Sequence, residues 1–199
     1  MGEVMKGGTL DRREVVSALL EGREDLLVVT GLGSASYDVM AAGDHDNNYY
    51  LWAAMGSAVM TGLGLAKARP DHSVVVITGD GEALMGFGAL ATVAVQAPAN
   101  LTIVVLDNGH FGETGMQVSH AGRGIEFDKV AASCGFGWTD RVTEMAGVAA
   151  LRAKFAARDT GVKLAVVKIA AAEAPRVLPP RDGAYIKNRF RAALGFQPI

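Results

Sequence analysis

"GDGEALMGFGALATVAVQAPANLTIVVLDNGHFG", residues 79–112, opens on an acid set between two glycines and closes on Asp-Asn-Gly after an apolar run. The segment leading into it, "SVVVITG" (73–79), and the segment inside it, "NLTIVVLDNG" (100–109), are continuously apolar and end in glycine. Strands buried on both faces read this way, whereas half-exposed strands alternate in polarity. Between them "EALMGFGALATVAVQA" (82–97) reads as a helix. A strand–helix–strand unit of this kind predicts parallel pairing, with both glycine turns at the carboxyl edge of one sheet. Asp80 and Asn108 would then meet across neighbouring strand ends.

The same grammar extends in both directions. "LDRREVVSALLE" (10–21) places Leu10, Val15, Val16, Leu19 and Leu20 along one helical stripe, with Asp11 able to cap. "DLLVVTG" (25–31) is another buried strand ending in a glycine turn, and "SASYDVMAA" (34–42) returns as a helix. "NNYYLW" (47–52) is extended but ambiguous, and "MGSAVMTGLGLAKARP" (55–70) is a small-residue helix stopped by Pro70. A polar, glycine-bearing loop spans 110–125, helices are expected over 126–135 and 144–158, and "VKLAVVKIA" (162–170) is the last strand. Pro175, Pro179 and Pro180 open a tail with a possible short helix at 184–194. These elements predict an α/β fold: one doubly wound, mostly parallel sheet with helices on both faces, forming a single domain over 1–199. Residues 175–199 are expected as a C-terminal tail or subunit-contact arm.

Composition narrows the function. Lys plus Arg number 19 and Asp plus Glu 21, a formal charge of −2, and no dense basic stripe offers a nucleic-acid footprint. The single cysteine, Cys134, rules out an intrachain disulfide or cysteine-ligated cluster in this chain and fits a reducing compartment. The first residues lack the apolar core of a signal peptide, and the most apolar stretches are too short and glycine-broken to span a bilayer. The expectation is a cytoplasmic protein with neither membrane nor nucleic acid as partner.

Gly79 and Gly81 clear side chains from around Asp80, so backbone N–H groups can approach an anion, and the helix beginning near Glu82 aims its N-terminus there. A carboxylate would repel a bare phosphate. A hard divalent cation removes the conflict, because Mg²⁺ accepts one or two protein side chains alongside phosphate oxygens. Asn108 can offer an amide oxygen, and the turn at Gly109 could bring back the His110 carbonyl. Read separately, Asp80 and the Asp-Asn-Gly turn are ordinary turn chemistry. Their joint spacing favours a metal–diphosphate site.

Gly-Asp-Gly followed by Asp-Asn one helix and strand later resembles the thiamine diphosphate-binding motif. "TGLGSASYDVM", "LWAAMGSAVMTGLGLAKARP", "GDGEALMGFGALATV" and "DNGHFGETGMQ" resemble, in order, the cofactor-binding half of sulfopyruvate and phosphonopyruvate decarboxylases, over roughly residues 10–170. "ETGMQ" is also similar to a turn in β subunits of 2-oxoacid:ferredoxin oxidoreductases. The resemblance implies a thiamine diphosphate-binding fold of the diphosphate (PP) type. It implies Mg²⁺ held by Asp80, Asn108 and the His110 carbonyl, with the diphosphate held by the backbone of Gly81, Glu82 and Ala83 beside Gly79. Asp107 stands where the family usually has a first Asn. Gly33, Ser34, Phe111 and Gly112 are further cofactor-binding candidates, Met55 and Gly56 are expected against the aminopyrimidine, and Tyr37, with Met40 next, is the candidate prop for the bent cofactor. The activating glutamate of such enzymes belongs to a pyrimidine-binding domain, so the resemblance implies a β-type subunit active only with a separate α-type partner, in an α2β2 or larger assembly.

The implied reaction is decarboxylation of a 2-oxoacid such as 3-sulfopyruvate or phosphonopyruvate to CO₂ and an aldehyde. An oxidoreductase subunit using the same cofactor, and a non-catalytic α/β subunit, are the alternatives. Within the 110–125 loop, Glu113 and His110 are the catalytic candidates, Thr114 and Gln117 could orient substrate, and His120 and Arg123 could meet a distal anion. His45 and His72 read as loop and turn residues, and Cys134 as a packed thiol.

Overall fold

The computed structural model describes residues 8–52 and 54–197; the expected domain limits, residues 1 and 199, lie outside the described residues. Six parallel strands build the main sheet: β1 (Leu27–Thr30), β2 (Asn48–Tyr50), β3 (Val74–Gly79), β4 (Leu101–Asp107), β7 (Trp138–Val142) and β8 (Lys163–Lys168). Their order is β2-β1-β3-β4-β8-β7, and a separate antiparallel hairpin pairs β5 (His110–Phe111) with β6 (Gln117–Val118). The helices are α1 (Arg12–Leu20), α2 (Ser34–Ala41), α3 (Ala58–Ala68), α4 (Asp80–Met85), α5 (Ala89–Gln96), α6 (Phe127–Cys134), α7 (Met145–Ala153) and α8 (Gly183–Ala193).

The apolar strand runs are explained by two core layers. Val28, Val75, Ile77, Val104, Leu106, Ala165 and Val167 face one layer with α1, α2 and α7. Their strand neighbours Leu27, Val29, Val74, Val76, Ile103, Val105, Leu164 and Val166 face the other, with α3, α5 and α6. Successive residues of a strand point to opposite faces, so covering both faces requires every position to be apolar. The chain runs from β1 outward to β2 and then back across to β3, so the sheet winds in opposite directions from the β1/β3 boundary. At the far side, Leu10 bridges Ile169 just beyond β8, which sets the start of α1 at the carboxyl edge. Asp11 caps α1 by accepting from the amides of Arg13 and Glu14 at 2.8 and 3.0 Å, as expected.

Three elements differ from expectation. The helix expected over 82–97 begins at Asp80 and breaks into α4 and α5 around Gly86–Gly88. Gly86 presses on Gly56 so closely that an added Cβ would sit 2.0 Å from the Gly56 oxygen. That backbone contact fixes the break. "WTDRV" forms the edge strand β7, whose mixed burial leaves no continuous apolar run. The 110–125 segment is not featureless, because it holds the β5/β6 hairpin and short 3₁₀ turns at Gly112–Thr114 and Ala121–Arg123. The ambiguous "NNYYLW" stretch supplies β2, the other edge strand.

The tail beyond Pro175 returns to its own chain. Trp52 Nε1 donates to the Pro180 carbonyl at 2.8 Å, Arg189 Nη1 pairs with Asp44 at 2.6 Å, and Phe190 meets Tyr49 edge-on at 5.4 Å. Leu178 and Phe196 remain half exposed.

Close approach also decides which helix glycines tolerate a side chain. In α3, a Cβ on Gly62 would lie 2.2 Å from Val76 Cγ2, whereas Gly64 faces open space. Gly62→Ala is expected to lower the unfolding free energy by about 1–3 kcal/mol through overpacking. Gly64→Ala is expected to leave it unchanged or raise it by up to about 1 kcal/mol through lower unfolded-state entropy. Urea titration of the two variants checks the contrast.

Candidate active site

The turns after β1, β3 and β4 lie side by side, because these strands are consecutive in the sheet. They wall a cavity of about 110 Å³ lined by Ser34 and Met55, by Gly79, Asp80, Gly81 and Glu82, and by Asn108, His110, Phe111, Gly112, Glu113 and Thr114, among others. A second lobe of about 250 Å³ adjoins it and shares Arg12, Ser34, Asn108, Gly112 and Glu113. Asp80 and Asn108, 28 residues apart in sequence, thus face one space.

Charge in that space is poorly compensated. Asp80 is 2% exposed, and its Oδ2 accepts from the Ser119 hydroxyl. Burial, with the nearby Asp107 carboxylate adding to it, pushes Asp80 up to about 6 despite the Ser119 hydrogen bond and backbone N–H groups that oppose the shift. Asp107 is itself paired: Lys168 Nζ meets its Oδ2 at 2.8 Å, while its Oδ1 accepts from the Gly109 amide at 2.8 Å. Asp107 thereby fixes the turn that presents Asn108, whose Oδ1 accepts from the His110 amide at 2.8 Å. Glu82 is also buried and shifted upward by desolvation; its Oε1 accepts from the Gly56 amide at 2.9 Å, and its Oε2 has no partner.

The donor set fits a hard cation bound together with an anion. Among the described residues no group of three or more His, Cys, Asp or Glu side chains is arranged to hold a metal ion. A cation here would draw on one carboxylate, an amide oxygen, a carbonyl and the oxygens of its ligand, the sparse protein set that Mg²⁺ accepts. The glycines keep the cradle open: a Cβ on Gly81 would meet Phe111 Cδ1 at 2.7 Å, and Gly33, at φ +76°, already lies against Glu113. Backbone at that φ favours glycine.

The remaining candidates divide clearly. Tyr37 lines the second lobe, with its ring 5.9 Å from the Arg176 guanidinium and 6.5 Å from Trp52. Met40 lies farther off, where its sulfur accepts from Tyr50. Gly56 touches the site through Glu82, and Ala83 packs into the core behind it. Glu113 accepts from Ser34 Oγ at 3.3 Å and pairs with Arg176 at 3.2 Å. Gln117 bonds Thr114 within the loop. His120 stacks edge-on to Phe111 at 6.1 Å, and neither it nor the exposed Arg123 lines either lobe. His45 accepts from the Asn47 amide in its own turn, His72 contacts Asp71, and Cys134 packs at the end of α6.

Four contributors were not singled out from sequence. Ser119 sits in a stretch that reads as polar loop, yet it is fully buried against Asp80. Lys168 occupies a strand end, Arg12 a helix start that reads as solvated, and Arg176 the tail. The adjacent "RR" of α1 was the one available signal, because two cations in a first turn oppose the helix dipole and need a local acid.

Comparison with known proteins follows this geometry. The family model described as "Thiamine pyrophosphate enzyme, C-terminal TPP binding domain" matches residues 33–169. The β subunit of sulfopyruvate decarboxylase from Methanothermobacter thermautotrophicus is 40% identical over 127 residues, covering 64% of this chain and 68% of that one. Phosphonopyruvate decarboxylase from Streptomyces viridochromogenes is 36% identical over 184 residues, covering 90% of this chain and 45% of its own length. The chain thus spans about half of that longer relative. In structure, the thiamine diphosphate-dependent 4-hydroxybenzoylformate decarboxylase of Rhodococcus jostii RHA1 superposes with a TM-score of 0.68 at 21% identity, over 87% of this chain and 36% of that chain, and so shares the fold. The parallel sheet, the paired turns and the family match agree: the chain belongs to the thiamine pyrophosphate enzymes and carries their C-terminal, TPP-binding domain.

Proposed function

We propose that the chain is the diphosphate- and Mg²⁺-binding, β-type subunit of a heteromeric carboxy-lyase that acts on a 2-oxoacid with a distal anionic group, such as 3-sulfopyruvate or phosphonopyruvate. The observation that carries this reading is the buried, uncompensated Asp80 carboxylate sharing one glycine-walled cavity with Asn108. Asp80, Asn108 and the His110 carbonyl would hold the cation, and the backbone of Gly79, Gly81, Glu82 and Ala83, with Gly33, Ser34, Phe111 and Gly112, would hold the phosphoryl groups. Met55 and Gly56 would face the aminopyrimidine, and Tyr37 would support the bent form.

When bound, thiamine diphosphate supplies the electron sink for the bond that departing CO₂ leaves behind. This chain's own part is to bind, orient and exclude water. Phe111 lies against Gly81, and Glu113 and His110 both line the cavity, where either could hold a proton for the product carbon. The activating glutamate is assigned to a separate pyrimidine-binding α-type subunit, in an α2β2 or larger assembly. The naming of one relative as a subunit β supports that division.

Co-expression with that partner and a CO₂-release screen across 2-oxoacids tests the reading. The expected product is an aldehyde formed without an electron acceptor, with the isolated chain inactive. Product formation only with ferredoxin would instead favour the oxidoreductase alternative, and failure to bind thiamine diphosphate would leave the non-catalytic one.

Asp80 gives a second test with the sign fixed. Its folded value of about 6 exceeds the ordinary 3.8, so its protonated form stabilises the cofactor-free fold at low pH, and that stability is lost as pH rises through about 6. Without cofactor, Asp80→Asn is expected to be more stable than the parent at pH 7 by about 1–3 kcal/mol, and equal to it near pH 4. Adding Mg²⁺ and thiamine diphosphate should raise the denaturation midpoint of the parent only.

A further inference from the structure

Arg12 is the one Lys or Arg among the residues that line the first lobe, and it lines the second lobe as well. Its side chain is 9% exposed. Nε donates to Asp38 Oδ2 at 2.7 Å and Nη2 to the Ser34 carbonyl at 3.2 Å, while Nη1 makes no hydrogen bond to a described residue. Asp38, itself buried, is shared: Arg13 Nε donates to its other oxygen at 2.7 Å, from a side chain that is 25% exposed. Two guanidinium groups share one carboxylate, so Asp38 does not neutralise both. A buried charge in excess is unfavourable until an anion or water meets it.

Arg12 is the one positive group in the lining of a first lobe whose other charged residues are acids. Asp38, Asp80, Glu82 and Glu113 are the acids of the first lobe, and Glu173 and Arg176 are added in the second. Arg176 is already paired with Glu113 at 3.2 Å. Mg²⁺ at Asp80 would offset only part of the charge of a diphosphate, and Arg12 is the one Lys or Arg that lines the first lobe. Its planar fork suits two oxygens of one phosphoryl group better than a point charge would.

Resting on the cofactor reading above, we propose that Arg12 is a direct ligand of the cofactor's diphosphate, held in place by Asp38 and the Ser34 carbonyl. Arg12 thereby adds a binding residue from α1, outside the glycine turns. Arg13 shares the same carboxylate but lines neither lobe, so it serves as the internal control.

The experiment is calorimetric titration of the full assembly with thiamine diphosphate and, separately, thiamine monophosphate, both with Mg²⁺. Arg12→Met is expected to weaken thiamine diphosphate by about 10- to 100-fold, the range for loss of a charge-assisted hydrogen bond, and the monophosphate by much less. Arg12→Lys is expected to recover part of that ratio, and Arg13→Gln to leave it unchanged. If Arg12→Met does not fold, Arg12→Gln, which can still donate to Asp38, is read in the same way. An unchanged diphosphate-to-monophosphate ratio in the Arg12 variants, or an equal loss in Arg13→Gln, overturns the assignment while leaving the cofactor site standing. Absence of thiamine diphosphate binding by the parent assembly would be a different result, overturning the cofactor reading and the ligand assignment with it.

Discussion

A carboxylate that has lost its water without gaining a cation organises this molecule's functional edge. Asp80 sits where a strand becomes a helix, so its backbone position is set by the central strand β3 and its burial by the hairpin that Ser119 belongs to. Everything around it either tolerates that charge or sharpens it. Lys168 pairs with Asp107, and the Asp107 charge still adds to the upward shift of Asp80. A domain selected for stability alone would place a neutral side chain there. A buried acid without a cationic partner is what the proposed metal–diphosphate site would require.

The glycines act on the same edge by letting backbones touch. Gly56 meets Gly86, and the Gly56 amide in turn satisfies one oxygen of Glu82. The break between α4 and α5 and the placement of Glu82 are therefore one event rather than two. Similarly Gly122 lies against the Gly109 carbonyl, which packs the 3₁₀ turn Ala121–Arg123 against the turn that presents Asn108.

The parts legible in sequence were those that depend on local pattern. Strands covered on both faces announce themselves by unbroken apolar runs, so β1, β3, β4 and β8 could be placed, and with them the meeting of Asp80 and Asn108. Edge strand β7 could not, because only Val142 of its five positions is fully buried and its "TDR" core resembles a loop. The split of the 82–97 helix depends on Gly56, which lies in a different element, and no local periodicity carries that information. For the same reason Ser119 and Arg12 read as solvated: their burial comes from neighbours 39 and 26 positions away. His120 and Arg123, chosen for their chemistry within the loop, are turned aside by the hairpin.

The first helix carries a lesson about boundaries. The family match begins at residue 33, and α1 ends at Leu20, so the shared fold is conventionally recognisable without it. Yet Val15, Val16 and Leu19 belong to the core layer beneath α2, and the guanidinium of Arg12 forms part of the pocket wall. A version trimmed to residues 33–169 would lose the internal strand β1 as well as α1, and would leave Asp38 without either of its cations. Recombining this domain with a relative's partner half therefore calls for a junction upstream of Asp11.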